Sequence, residues 1–196
     1  FDALWKSEGF RFSVIRPFNF VGPRIDYHPS ETGGGNPRVF SHFMDALLYG
    51  NKPMQLVDGG NAYRAYTYID DAVDCMVRII EDKGGNCDGH IFNIGTPENE
   101  LTIAELATKM CDMFDEHFRQ EGDPPRPEIV SISGEDFYGA GYEDCDRRIA
   151  DITKARTLLG WEPEHDLDSV IYNTMKYFVD EYRAKQSADA TPAGAV

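Results

Sequence analysis

No apolar run in this 196-residue chain is long enough to cross a bilayer, and no secretory-signal pattern is present in it. Basic residues are in the minority, 19 against 34 acids, for a formal net charge of −15. That balance argues against nucleic-acid or anionic-membrane binding through bulk charge, since both need a basic surface. A phosphate site in such a chain must be built from a few placed arginines or backbone amides. Cysteine is scarce too. Cys75, Cys87, Cys111 and Cys145 form no C-x-x-C pair, and the five histidines are dispersed without metal-ligand spacing. This usage suits reduced thiols in a cytoplasmic protein rather than a disulfide scaffold or a metal centre. Glycine is plentiful, yet no strand leads into a G-x-G-x-x-G. The initiator Met is also missing: Phe1 to Lys6 reads as the last turns of a helix ending at Gly9, and the chain is expected to begin inside a larger protein.

What is there is an ordinary globular composition, 41% hydrophobic and 27% charged, enough for a substantial core in one domain. Phe12 to Ile15 reads as a buried strand, stopped by Pro17, Asn19, Gly22 and Pro23. Residues 25–35 are polar and irregular, and Gly33-Gly34-Gly35 favours a mobile loop. Asn36-Pro37 supplies an N-cap and a first-turn proline for a helix that Gly50 closes. Met54 to Val57 is a strand, Asp58 to Asn61 a turn, and Tyr63 to Tyr68 a second strand with Arg64 opposite Tyr63. A helix starts at Ile69, with Asp70 and Asp71 as capping acids and Ala72, Val73, Met76, Val77 and Ile80 inward. Ile91 to Ile94 is a strand, and Thr102 to Glu105 has capping-box spacing for the next helix. Glu128 to Ile132 is a strand, 133–148 a loop, and Asp151 caps a short helix to Gly160. The last amphipathic helix spans about 167–184, followed by a disordered tail at 187–196. Short strands alternating with helices argue an α/β unit with mostly parallel pairing.

Three segments carry candidate chemistry. Arg16 to Arg24 sits at the carboxyl end of a strand, where open α/β sheets bind ligands, and presents Asn19 between two arginines. Gln55-Leu56-Val57-Asp58-Gly59-Gly60 turns tightly ahead of Arg64. Tyr138 to Arg148 combines glycines, tyrosines and paired arginines. An arginine fork matches phosphate or carboxylate, and tyrosine stacks on a base or bonds a sugar hydroxyl. Taken singly, each arginine is more often a surface ion pair. Tyr172-Asn173-Thr174-Met175-Lys176 has the Tyr-x-x-x-Lys spacing of dehydrogenase sites, but it lies in the terminal amphipathic helix, where packing is the better account.

In this order, Arg16-Pro17-Phe18-Asn19 with Gly22-Pro23-Arg24, Asp58-Gly59-Gly60 with Arg64, Tyr68-Ile69-Asp70-Asp71, Phe92-Asn93-Ile94-Gly95 and Leu159-Gly160-Trp161-Glu162-Pro163 resemble the carboxyl-terminal half of extended short-chain dehydrogenases acting on nucleotide sugars. Asn93 to Glu100 and Phe137 to Tyr142 are most similar to the UDP-glucuronate decarboxylases. These include the dehydrogenase half of the bifunctional polymyxin-resistance enzyme and the UDP-apiose/UDP-xylose synthases. The resemblance implies the last parallel strands of a Rossmann-like sheet plus a small substrate-binding α/β subdomain, over residues 1–186. It implies NAD as cofactor, bound mainly by an amino-terminal half that is not in this sequence, with Pro17 and Phe18 beside the nicotinamide. Asn19 would bond the UDP-sugar near its phosphates, and Gln55, Leu56, Val57, Asp58, Gly59 and Gly60 would wrap the uridine and diphosphate. Arg64 would be a phosphate partner, Tyr142 would touch the substrate, and Arg148 would be the catalytic arginine of decarboxylation. Ala150-Asp151 departs from the Pro-Ser or Pro-Asp of relatives. The fingerprint and Tyr-x-x-x-Lys of the family are absent, so the chain alone is expected to be inactive. A homodimer is implied for the full-length protein. The rival readings are an epimerase or dehydratase on another nucleotide sugar, and a non-catalytic nucleotide-sugar-binding module.

Overall fold

The computed structural model describes residues 2–33, 35, 38–141 and 145–189. The chain divides into two units, one built from Phe1–Val21, Ala62–Leu101 and Cys145–Val170, the other from Gly22–Asn61, Thr102–Asp144 and Ile171–Val196.

In the first unit, α1 (Asp2–Glu8) ends at Gly9, whose φ of 66° only glycine adopts without strain. β1 (Ser13–Pro17) then pairs in parallel with β6 (His90–Ile94), from Ser13 opposite His90 to Pro17 opposite Ile94. β2 (Phe20–Val21) pairs in parallel with β5 (Thr67–Tyr68). β4 (Tyr63–Ala65) lies between β7 (Glu100–Thr102) and β9 (Arg147–Arg148). The segment expected as one strand over Tyr63 to Tyr68 is thus two short strands serving different sheets. It breaks at Tyr66, whose N–H donates to the Asn99 carbonyl at 3.1 Å.

α4 (Ile69–Glu81) and α7 (Thr153–Leu159) pack against each other, α4 also against β5 and α7 against β6. Its core joins Ala72, Cys75 and Ile79 of α4 to Phe92 and Ile94 of β6, with Trp161 fully buried beside them. The inward face of α4 differs in part from the sequence expectation: Ala72 is buried and Met76 packs against the core as expected, but the valines and Ile80 do not. Val73 and Val77 are each 44% exposed and Ile80 81% exposed, whereas Asp71, Ala72, Cys75 and Ile79 are buried. The cause is Asp71, which is no cap. Its carboxylate accepts from the N–H groups of Glu164 and His165 at 3.2 Å each and faces His165 Nδ1 at 2.8 Å. Its carbonyl also accepts from the Trp161 indole at 3.1 Å. Those bonds turn the 71/75 side of the helix inward. Asp151, the expected cap of α7, lies one position before the N-cap Ile152, and its carboxylate accepts from the Thr153 N–H at 2.9 Å.

The second unit pairs β3 (Met54–Val57) in parallel with β8 (Ile129–Ile132). Packed with these are α3 (Val39–Tyr49), closed by Gly50, and α5 (Ile103–His117), opened by the full Thr102/Glu105 capping box. Buried side chains here include Phe40, Phe43, Leu47, Met54, Met110 and Phe114. Two single turns of helix replace expected loop: α2 (Pro29–Thr32) and α6 (Gly134–Tyr138). The first is held because buried Asp45 accepts from the N–H and hydroxyl of Ser30 at 3.0 and 2.8 Å. The expected cap Asn36-Pro37 lies outside the described residues, and Arg38 occupies the N-cap position of α3.

α8 (Leu167–Asp189) runs past Ser187, where the tail was expected to start, and 190–196 lie outside the described residues. In it Tyr172 stacks on Phe118 with ring centres 5.2 Å apart, and Lys176 pairs with Asp180. That pair of side chains is packing, as the sequence suggested. Among the described residues no helix is long and apolar enough to cross a membrane.

Candidate functional site

Among the described residues, four other than glycine have positive φ: Asn19 at 43°, Arg24 at 63°, Asp58 at 49° and Asp82 at 41°. Three of these fall in segments singled out by the sequence. Such conformations persist only where surrounding contacts hold them, and they gather at functional sites.

In the first unit the holding contacts are explicit. β1 ends at Pro17, and the Phe18 N–H donates to the Ile94 carbonyl at 3.0 Å. The Phe18 carbonyl accepts from the Thr67 hydroxyl at 3.0 Å, and that of Asn19 accepts from the Thr67 N–H at 3.2 Å. The Asn19 amide in turn donates to the Ala65 carbonyl at 2.9 Å. Thr67 and Ala65 therefore fix the left-handed turn at Asn19 from both sides. Gly95 completes the cradle: a Cβ there would stand 2.6 Å from that of Ala150 and 3.2 Å from that of Phe18.

Ala65 ends the strand that carries Arg64. Arg64 is 7% exposed, and its Nη1 donates to the carbonyls of Tyr63 at 2.7 Å and Cys145 at 2.8 Å. It is therefore a structural stitch between β4 and the approach to β9, a role the sequence did not announce. In the parallel register Arg64 stands opposite Arg148, and Tyr63 opposite Arg147. Side chains alternate along a strand, so Arg64 and Arg148 share one face and Tyr63 and Arg147 the other. Arg147 makes a two-pronged ion pair with Glu100, at 2.9 and 2.7 Å, and lies 5.9 Å from the centre of the Tyr63 ring. Those hydrogen bonds hold the Glu100 carboxyl below its ordinary value. Arg148 is exposed, and among the described residues no side chain pairs with it. Like charges directly opposite each other on adjacent strands repel, and an anion between them relieves the repulsion.

The second unit carries Gln55, Leu56, Val57, Asp58, Gly59 and Gly60. Leu56 is buried and Gln55 and Val57 are half-buried, as strand alternation requires. Asp58 accepts from the Gly134 N–H at 3.0 Å, fixing the start of α6. Gly60 must be glycine: its φ is 69°, and a Cβ would stand 2.9 Å from the Ala104 nitrogen. Gln55 also lines a hollow of about 90 Å³ with His42, Asp45, Lys52 and Phe137. Tyr142 lies outside the described residues.

The structure thus brings Pro17, Phe18, Asn19, Arg64 and Arg148 into one chain of backbone contacts in the first unit. Sequence reasoning missed Glu100 and Thr67, because the pairing of each with its partner follows from strand register and leaves no local signal.

The sequence profile described as "NAD dependent epimerase/dehydratase family" matches residues 1–95. A UDP-D-apiose/UDP-D-xylose synthase of Oryza sativa subsp. japonica is 38% identical over 89% of this chain and 44% of its own length. The crystal structure of the PbgP3 protein from Burkholderia pseudomallei superposes with a TM-score of 0.73 at 30% identity, over 93% of this chain and 51% of that one. The UDP-glucose 4-epimerase of Thermotoga maritima, solved with UDP-glucose, gives 0.70 at 26% identity, over 92% and 50%. The chain spans about half the length, or less, of these relatives. In the profile over residues 1–95 and in fold over most of its length, the chain is similar to the NAD-dependent epimerase/dehydratase family.

Proposed function

We propose that this chain is the substrate-binding portion of an NAD-dependent UDP-glucuronate decarboxylase, which oxidises the sugar at C4 and then releases the carboxylate as CO2. The observation that carries the reading is the pair Arg64 and Arg148, in register on one sheet face beside the strained turn at Asn19. Asn19 would bond the nucleotide sugar near its phosphates, with Arg64 adding positive charge from behind. Gln55 to Gly60 would wrap the uridine and diphosphate, and Tyr142 would touch the sugar.

Two relatives named above make or bind UDP-sugars, which supports that ligand class. Once C4 is a ketone, the sugar is a β-keto acid. Its C5–C6 bond can break with the electron pair passing to the C4 oxygen as an enolate, and C5 then takes a proton. Arg148 would bind the carboxylate and afterwards stabilise the enolate oxygen. It would not itself give up the proton, because a guanidinium loses one only above about pH 12. A proton relayed by water fits better.

For the cofactor, exposed Pro17 and half-buried Phe18 at the end of β1 fit an apolar contact with a nicotinamide ring and offer it no charged group. NAD, when bound, would supply hydride acceptance from C4. No G-x-G-x-x-G and no Tyr-x-x-x-Lys outside α8 occur in this sequence, so the chain alone is read as inactive and a weak NAD binder. The reading also carries a cytoplasmic setting and a homodimer of the full-length protein.

The test is calorimetric titration of the chain with UDP-glucuronate. Arg148→Gln should weaken binding about ten-fold or more, the worth of a charge-assisted hydrogen bond. Unchanged affinity would remove Arg148 from the site. For the full-length protein, incubation with UDP-glucuronate and NAD should release CO2, and an intact carboxylate would favour an epimerase instead.

A further inference from the structure

β9 consists of two consecutive arginines, and that poses a register problem. Shifting a strand by one residue exchanges its faces, so β9 slipped one way would present Arg147 beside Arg64, the wrong arginine on a displaced backbone, and would bring Asp146 to the Glu100 face. The strand itself resists slipping weakly. It is two residues long and exposed, and its start is held by the Tyr63 N–H bond to the Asp146 carbonyl at 2.7 Å and the Arg64 bond to the Cys145 carbonyl at 2.8 Å.

What distinguishes the two arginines lies on the opposite face. Glu100 stands on β7, two strands from β9, a span of roughly 10 Å at ordinary strand spacing. The Arg147 side chain crosses β4 over the Tyr63 ring and closes both prongs on that carboxylate. The Glu100 side chain is only 14% exposed, against 64% for Arg147. An isolated surface pair contributes little, but this one is bidentate and joins the outer strands of a three-stranded sheet. Its leverage is geometric: with Arg147 held on Glu100, the next residue, Arg148, is left on the Arg64 face.

We propose that Glu100 is a positioning residue for the candidate site: by strapping Arg147 across Tyr63 it locks the register of β9 and so delivers Arg148 to the face of Arg64. The inference rests on the reading of Arg148 as the group that meets the substrate carboxylate. Glu100 touches no ligand in this account and acts only through the strand.

The readout is the ratio of affinities of this chain for UDP-glucuronate and UDP-xylose, which differ by the carboxylate. A merely structural residue would lower both alike. Glu100→Gln should lower the preference for the acid about five-fold or more, approaching Arg148→Ala, with UDP-xylose affinity within about two-fold of wild type. Combining Glu100→Arg with Arg147→Glu rebuilds the strap with its charges exchanged and should restore the preference, and it keeps the test valid if Glu100→Gln folds poorly. If Arg148→Ala removes the preference while Glu100→Gln keeps it, the strap is overturned and the functional reading stands. If Arg148→Ala itself leaves the ratio unchanged, the functional reading fails first and this inference falls with it. Failure of the exchanged pair to restore the ratio also overturns the strap.

Discussion

Asp71→Ala tests the contact that orients α4. Asp71 is 5% exposed, and its carboxylate receives the Glu164 and His165 N–H groups and faces His165 Nδ1. A hydrogen bond to a charged group contributes roughly 1.5 kcal/mol at the low end, so three sum to about 4–5 kcal/mol. The His165 side chain is 32% exposed and can recover a partner from water, which lowers the expected loss to about 3 kcal/mol. For a chain of this length that corresponds to a fall in melting temperature of roughly 6–12 °C. Urea unfolding followed by circular dichroism, together with calorimetry, would measure it. His165→Ala should cost no more than about 1 kcal/mol, because the two backbone donors keep their acceptor. Asp71→Asn, which retains one acceptor oxygen, should fall between the two. The reasoning is refuted if Asp71→Ala lies within about 1 kcal/mol of wild type, or if His165→Ala matches it.

Gly95→Ala should destabilise by about 1–3 kcal/mol through the clash with Ala150 and Phe18, and adding Ala150→Gly should recover part of it; urea midpoints decide. Thr102→Ala should cost about 1 kcal/mol by dissolving the capping box of α5, again read from urea unfolding. His28 is buried between the rings of Tyr49 and Phe178, and burial pushes its imidazole below the ordinary value against the pull of Glu31 and Asp45. The folded form therefore refuses a proton that the unfolded chain accepts near its ordinary 6.5, so stability present above that pH is lost as pH falls below it. His42 shifts the same way, chiefly by burial. A double variant, His28→Leu with His42→Leu, should flatten the stability profile between about pH 7.5 and 5.5, and a wild-type profile already flat there would sink the argument.

Much of the fold was legible because its signals are local. The Thr102 capping box, the Gly50 and Gly160 helix ends and the Met54 to Val57 strand all stand where the sequence puts them. α4 was misread because Ala72, Val73, Met76, Val77, Ile79 and Ile80 form two overlapping apolar stripes. Periodicity identifies the helix but leaves open which stripe packs. The choice is made by Asp71 and the loop at Glu164 and His165, more than ninety residues away. The break at Tyr66 had the same cause, since Asn99 accepts its N–H across the fold. At the candidate site, residue types could be read from the sequence and their pairing could not. That Arg64 is a buried stitch while Arg148 stands exposed depends on which strands become neighbours.

The outer stripe of α4 has a practical outcome for handling the protein. Val73, Val77 and Ile80 form a greasy strip along successive turns, with Ile80 81% in water. A solvatochromic dye such as ANS should light up on the intact fold, so a dye-based thermal shift would begin from a raised baseline and understate the transition. Ile80→Lys should darken that baseline without moving the calorimetric peak.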